Sequence, residues 1–155
     1  MLNIGLINRT LAAVFALSLV TACAQQAPSP PQAAAAAGPE LAGAWYQVYF
    51  GNNSADIDAR GKMIVGRVAY VVANNGETSV TVIGRTDRVG APSTNMALSQ
   101  RRADQVRDAL IAAGVPAARI DTGWTGETKQ QVATADDATE SRNRVVDITV
   151  VKQSR

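Results

Sequence analysis

Between residues 45 and 151 the apolar side chains switch repeatedly between a period of two and a period of three to four. A chain patterned this way must lay strands against helices. Trp45 to Phe50 alternates at Tyr46, Val48 and Phe50 and reads as a strand, which Gly51-Asn52-Asn53-Ser54 breaks. Asp58 is an expected N-cap for a helix with Met63, Ile64, Val68, Val71 and Val72 on one face, stopped by Asn74-Asn75-Gly76. Ser79 to Ile83 is a second strand. A loop, GRTDRVGAPST, leads to a long helix from Asn95 to Ala113. Its inward stripe is Leu98, Arg102, Val106, Ala109, Leu110 and Ala113, and Gly114 with Pro116 ends it. Arg119 to Trp124 is a third strand. The polar segment Gly126 to Asp137 is expected to hold at most a turn of helix. Val145 to Val151 is the last strand and is expected in the sheet interior, because both its faces are largely apolar. The order β-α-β-α-β-(α)-β predicts an α/β (α+β) sandwich, with helices packed on one face of a mixed sheet.

Composition removes whole classes of chemistry. The 155 residues include no histidine, which excludes Ser-His-Asp and Cys-His nucleophile machinery and HExxH zinc sites. The single cysteine, Cys23, permits neither an intrachain disulfide nor a cysteine-cluster metal site. Fifteen basic residues against 13 acidic ones are too balanced for a general nucleic-acid binder. No cofactor motif is present. Asp136, Asp137 and Glu140 are the one set of carboxylates that raises glycosidic cleavage, but they sit in a polar loop without an apolar pocket.

The first 44 residues do not follow the strand–helix pattern. Residues 1–22 carry one base, Arg9, and no acid, and Thr10 to Ala22 is an apolar run of 13 residues, too short to span a bilayer. That arrangement predicts a signal peptide over 1–22. Its end, Leu19-Val20-Thr21-Ala22-Cys23, resembles a bacterial lipobox, which implies a thioether-linked lipid and an acylated amine on Cys23. The other reading is an ordinary signal peptide beside a buried cysteine. Two or more acyl chains anchor stably where one does not. Ala24, where aspartate would signal inner-membrane retention in bacterial lipoproteins, points to the outer membrane with the domain facing the periplasm. Residues 23–44 then form a lipidated N-terminus and a Pro/Ala-rich linker, and 45–155 the folded domain. Fully extended, the 21 residues from Ala24 to Ala44 reach about 70 Å.

The run Gly84-Arg85-Thr86-Asp87-Arg88-Val89-Gly90, followed by Asn95, Leu98-Ser99, Arg101-Arg102-Ala103 and Val106, resembles the signature of OmpA-like domains. Gly114-Val115, Ile120, Gly126-Glu127 and Asn143-Arg144 fall at the family's downstream positions, spaced as in its peptidoglycan-associated lipoprotein branch. The resemblance covers Tyr46 to Val151. It implies non-covalent binding of peptidoglycan through the diaminopimelate residue of the stem peptide, held by Asp87 and Arg102. The chemistry suits that ligand. Diaminopimelate offers an ammonium and a carboxylate on one carbon, and an aspartate with the planar fork of an arginine matches both.

Thr86 and Asn95 add short polar groups, Phe50 falls beside the ligand loop, and Arg144 is a rim contact or a structural ion pair. On the residues alone, Asp87 and Arg102 read equally as a structural pair pinning the loop to the helix. Two departures stand out: Arg85 replaces the family histidine, and Val145 replaces the second arginine of N-R-R. Three functions follow. One is an outer-membrane lipoprotein that tethers the membrane to the cell wall. Another is a module of the same fold that binds a different envelope protein. The last, a hydrolase, lacks an acid–base pair.

Overall fold

The computed structural model describes residues 43–153. The signal peptide, Cys23 and nearly all of the linker lie outside the described residues. The elements run β1 (Ala44–Tyr49), α1 (Ala59–Asn74), β2 (Thr78–Gly84), α2 (Pro92–Ala112), β3 (Ile120–Trp124) and β4 (Val145–Lys152), with 3-10 turns at Ala117–Arg119 and Ser141–Asn143. They form one mixed sheet in the order β1-β4-β2-β3. β4 runs antiparallel to both its neighbours, and β2 runs parallel to β3. β4 is therefore interior, as expected, although between Val146 and Val150 only its helix-facing side is wholly apolar, with Asp147 and Thr149 on the other. Its first four residues, Val145 to Ile148, are all buried.

Register puts Val48, Val82, Val80, Val146, Ile148 and Val150 on one sheet face, and all of them join a core with Val65, Val68, Val71 and Val72 of α1 and Ala103, Val106 and Leu110 of α2. Both helices thus cover the same face. The other face carries Trp45, Gln47, Thr81, Ile83, Asp147 and Thr149.

Local chemistry sets the element ends. The Asp58 carboxylate accepts the Gly61 N–H at 2.7 Å and starts α1. Gly114, at φ 97, ends α2: Val115 N–H reaches Leu110 O at 3.0 Å and Gly114 N–H reaches Ile111 O at 2.9 Å. That is a Schellman closure, with Val115 buried behind it.

Several sequence expectations are corrected. α2 begins at Pro92 rather than Asn95, because proline fits the first helical position and Ala91 supplies an extended cap. Met63 is 70% exposed; Val65 takes the buried place expected for it. On α2, Ala113 is exposed and Ala109 only half-buried, while Ser99 and Ala103 join the buried stripe. Residues 126–137 hold turns and no helix, and the extra helical turn lies later, at Ser141–Asn143. β3 starts at Ile120, since Arg119 closes a 3-10 turn, and Ala44 pairs with Val150 and so belongs to β1 rather than to a linker.

Candidate ligand site

The site is built where β2 ends against α2. A side chain at Gly84 would collide with the Ser99 carbonyl, so glycine is what lets the strand end meet the helix there. Ser99 Oγ donates to Met96 O at 2.7 Å and accepts the Gly126 N–H at 3.0 Å, which ties the segment after β3 to the same helix. Thr86 N–H donates to Gly126 O at 3.0 Å. The loop from Arg85 to Ala91 is thereby held on both sides, at the carboxyl end of β2, where α/β sheets commonly place ligands.

Asp87 projects from this loop and is 4% exposed. Its Oδ2 accepts from Arg144 NH1 at 3.0 Å, from the Glu140 N–H at 3.3 Å and from Thr139 Oγ1 at 3.4 Å. Among the described residues Oδ1 accepts nothing. Asp87 lines an open cleft of about 260 Å³ with Asn52, Asn53, Gly90, Thr94 and Asn95.

Arg144 spans the gap between the strands. Its Nε donates to Phe50 O at 3.2 Å and its NH1 to Thr139 Oγ1 at 3.0 Å, as well as to Asp87. The ion pair at Asp87 is therefore with Arg144, and the expected Asp87–Arg102 pair is replaced by it.

Arg102 is fully buried. Its Nε donates to Ser54 O at 2.8 Å, NH2 to Gly51 O at 2.8 Å and NH1 to Arg85 O at 3.1 Å. The guanidinium lies 5.2 Å from the centre of the Phe50 ring. Burial pulls its pKa down to about 10, against the upward influence of the Asp87 carboxylate and with a further downward one from Arg144. It stays charged at neutral pH. A charge on the inward stripe of α2 is thus explained by three backbone carbonyls, two of them in the Gly51–Ser54 loop that walls the cleft.

The remaining expected residues occupy distinct places. Asn95, 3% exposed, donates through Nδ2 to Glu127 Oε2 at 2.7 Å and to Val89 O at 3.1 Å, fixing the loop's far end. Thr86 is buried, and its Oγ1 has no partner among the described residues. Phe50 is buried beneath Arg102. Arg85 stands apart from the cleft: its Nε lies 2.8 Å from Asp147 Oδ2, on the sheet face away from the helices. Val145 is a fully buried core residue, so nothing exposed is lost where the family carries arginine.

The polar segment before β4 has structural work for its acids. Asp136 pairs with Arg88 at 2.8 Å, Asp137 accepts the Gly90 N–H at 3.1 Å, and Glu140 caps the turn that holds Arg142. Asn143, fully buried, accepts the Gln131 and Val132 N–H groups at 2.9 Å and donates to Val132 O at 2.8 Å. Sequence reading missed Asn52, Asn53 and Thr139 as site residues, and raised Glu140 only as a candidate catalytic acid. The only available signal was the polar Gly51–Ser54 break, and it was read as punctuation.

Comparison with known proteins agrees with this fold. The OmpA family pattern matches residues 49–144. The chain is 39% identical over 103 residues to the probable lipoprotein YiaD of Escherichia coli (strain K12), covering 66% of this chain and 47% of that protein. It is 40% identical over 97 residues to a peptidoglycan-associated lipoprotein of Pasteurella multocida, covering 63% of this chain and 65% of that one. It therefore spans about half to two-thirds of the length of these relatives. Its fold matches the crystal structure of the peptidoglycan-associated lipoprotein from Burkholderia pseudomallei with a TM-score of 0.62 at 28% identity, over 67% of this chain and 88% of that one. With the family pattern matched from the end of β1 to the start of β4, the chain belongs to the OmpA family.

Proposed function

We propose that this domain binds peptidoglycan non-covalently through the diaminopimelate stem peptide, and that a lipid on Cys23 tethers the outer membrane to the wall from the periplasmic side. One observation carries the ligand reading: Asp87 is nearly buried, and all its bonds go to Oδ2, so Oδ1 remains free beside an open cleft. That oxygen accepts the ligand ammonium. Arg102 has five donor hydrogens and uses three on backbone carbonyls. The other two meet the ligand carboxylate once the Asp87–Arg144 pair opens. Asn95 and Phe50 hold the cleft's shape, and Thr86 supplies a spare hydroxyl. The names of the Pasteurella and Burkholderia relatives support the ligand class. The role is binding rather than catalysis, since Asp136, Asp137 and Glu140 are each engaged in ion pairs or turn-capping bonds.

Co-sedimentation of the full-length protein with purified sacculi tests this. Wild type should pellet with the wall and Asp87→Asn should stay largely in solution. A wild type that never pellets would favour a module that grips another envelope protein. For the anchor, Cys23→Ser should lose the acyl mass and the membrane fraction; unchanged partitioning overturns that part alone.

A further inference from the structure

The outward side of α1 has a feature that its own fold does not use. Ala59, Met63, Gly66, Tyr70 and Ala73 are all exposed and recur at spacings of four, three, four and three. That is the seam spacing by which one helix packs against another, here with large side chains alternating with small ones. Met63 is 70% and Tyr70 53% exposed, an unusual cost for two large apolar groups on one helix face. Gly66 sharpens the point. Glycine inside a helix is less favourable than alanine, and a side chain at Gly66 would meet nothing within 4 Å. Neither backbone conformation nor packing within the domain accounts for it. Close approach of another helix does.

The flanks say which helix. Arg60 and Arg67 line one side of the seam and Lys62 the other, and α1 contains no acidic residue. None of the three is in an ion pair among the described residues. The Arg67 guanidinium instead lies 5.8 Å from the centre of the Tyr70 ring. A second copy of this chain would set these cations against their own kind in either orientation. The preceding segment 24–42 offers one acid, Glu40, and four prolines, which suits neither the charge nor a helix. We infer that the outer face of α1 docks an amphipathic helix of another protein, with acidic residues flanking a seam of apolar ones. None of these residues lines the Asp87 cleft, so the surface works independently of wall binding.

Two synthetic peptides of three heptads test it against the full-length protein by fluorescence anisotropy. Both carry the same Leu/Ala seam; one has Glu at every flanking position and the other Lys. The Glu peptide should bind at least about tenfold more tightly, the sum of three modest ion pairs. Arg60→Glu with Arg67→Glu should reverse the preference. Gly66→Leu should abolish binding without lowering the melting temperature, because its side chain has open space in the free protein. Asp87→Asn should bind the Glu peptide as wild type does, whatever its affinity for sacculi. Equal affinity for the two peptides, binding of neither, or unchanged binding by Gly66→Leu overturns the inference. So does self-association of the wild type that Gly66→Leu removes, which would assign the face to a second copy.

Discussion

Two ion pairs with nearly the same burial sit at two places in this domain. Asp147, 6% exposed, pairs with Arg85 on the sheet face away from the helices, and Asp87, 4% exposed, pairs with Arg144 at the cleft. Their oxygens differ. Asp147 has a partner on each: Oδ2 is ion-paired with Arg85 Nε at 2.8 Å, while Oδ1 accepts from Gln47 at 3.0 Å and from Gln131 at 3.4 Å. Asp87 uses one. Burial and a charge partner alone therefore do not mark a binding site, since both acids have them. A carboxylate oxygen with neither an ionic nor a hydrogen-bonded partner, on a residue lining open space, is the mark, and of the two acids Asp87 has it.

Breaking the buried groups that hold the most partners should damage the fold most. Arg102→Ala leaves the Gly51, Ser54 and Arg85 carbonyls without their donor and removes the side chain that packs on Phe50. At about 1–3 kcal/mol for each buried group left unsatisfied, a loss of about 4 kcal/mol is expected in denaturant melts. A loss below about 1 kcal/mol would mean that water replaces the guanidinium freely and that Arg102 is held for the ligand alone. Asp147→Ala comes next, at about 3 kcal/mol, because it strands the half-buried Arg85 and two glutamines. Calorimetry on the molecules that remain folded should find stem-peptide affinity unchanged. A weakened affinity there would break the distinction between the two pairs.

Asp87→Asn probes the other side. It keeps the shape of the side chain and removes its charge. Binding of a diaminopimelate stem peptide should fall roughly ten- to hundred-fold, the value of a charge-assisted hydrogen bond of about 1.5–3 kcal/mol. Stability should change less than in Asp147→Ala. If instead the two variants melt alike and Asp87→Asn binds normally, Asp87 is a second structural pair and the cleft is not the site.

The layout of the domain was legible from periodicity, while the wiring of the site was not. Val146, Ile148 and Val150 alternating with Asp147 and Thr149 marked β4 as a strand with one face in the core, and its pairing with both β1 and β2 puts it inside the sheet. The Gly84–Ala103 run located the loop and the helix that bring Asp87 and Arg102 close. Which cation Asp87 would choose was beyond the sequence. Arg102 is fifteen residues away and Arg144 fifty-seven, and the choice depends on where the Gly51–Ser54 carbonyls lie, since these occupy the nearer arginine. Backbone acceptors leave no trace in side-chain patterns. Arg85 continues the alternation of β2: like Ile83, two residues before it, it lies on the sheet face away from the helices, where it meets Asp147. The exposed Met63 misled because hydropathy was taken as burial, while its helical position points away from the core.

The smallest expected effect concerns how the Asp87 oxygen is held. Glu140 offers its backbone N–H to Asp87 Oδ2, and its own carboxylate binds Arg142 through Nε at 3.0 Å, NH2 at 2.9 Å and the backbone N–H at 3.0 Å. The Arg142 side-chain bonds, aided by that backbone N–H, hold the Glu140 pKa down to about 2 from its ordinary 4.5. The folded state thus binds this proton less readily than the unfolded chain. The stabilisation is complete above about pH 4.5 and is lost as the pH falls through about 2. Glu140→Gln should therefore melt slightly below wild type at neutral pH, and the gap should close by about pH 2. Because the pair lies at the surface, with Arg142 63% exposed, the gap should be narrow and should shrink further in salt. A gap that persists unchanged to pH 2 would show that the turn is held by its backbone bonds alone. Asp87 would then depend on Arg144, not on Glu140, for the position of its occupied oxygen.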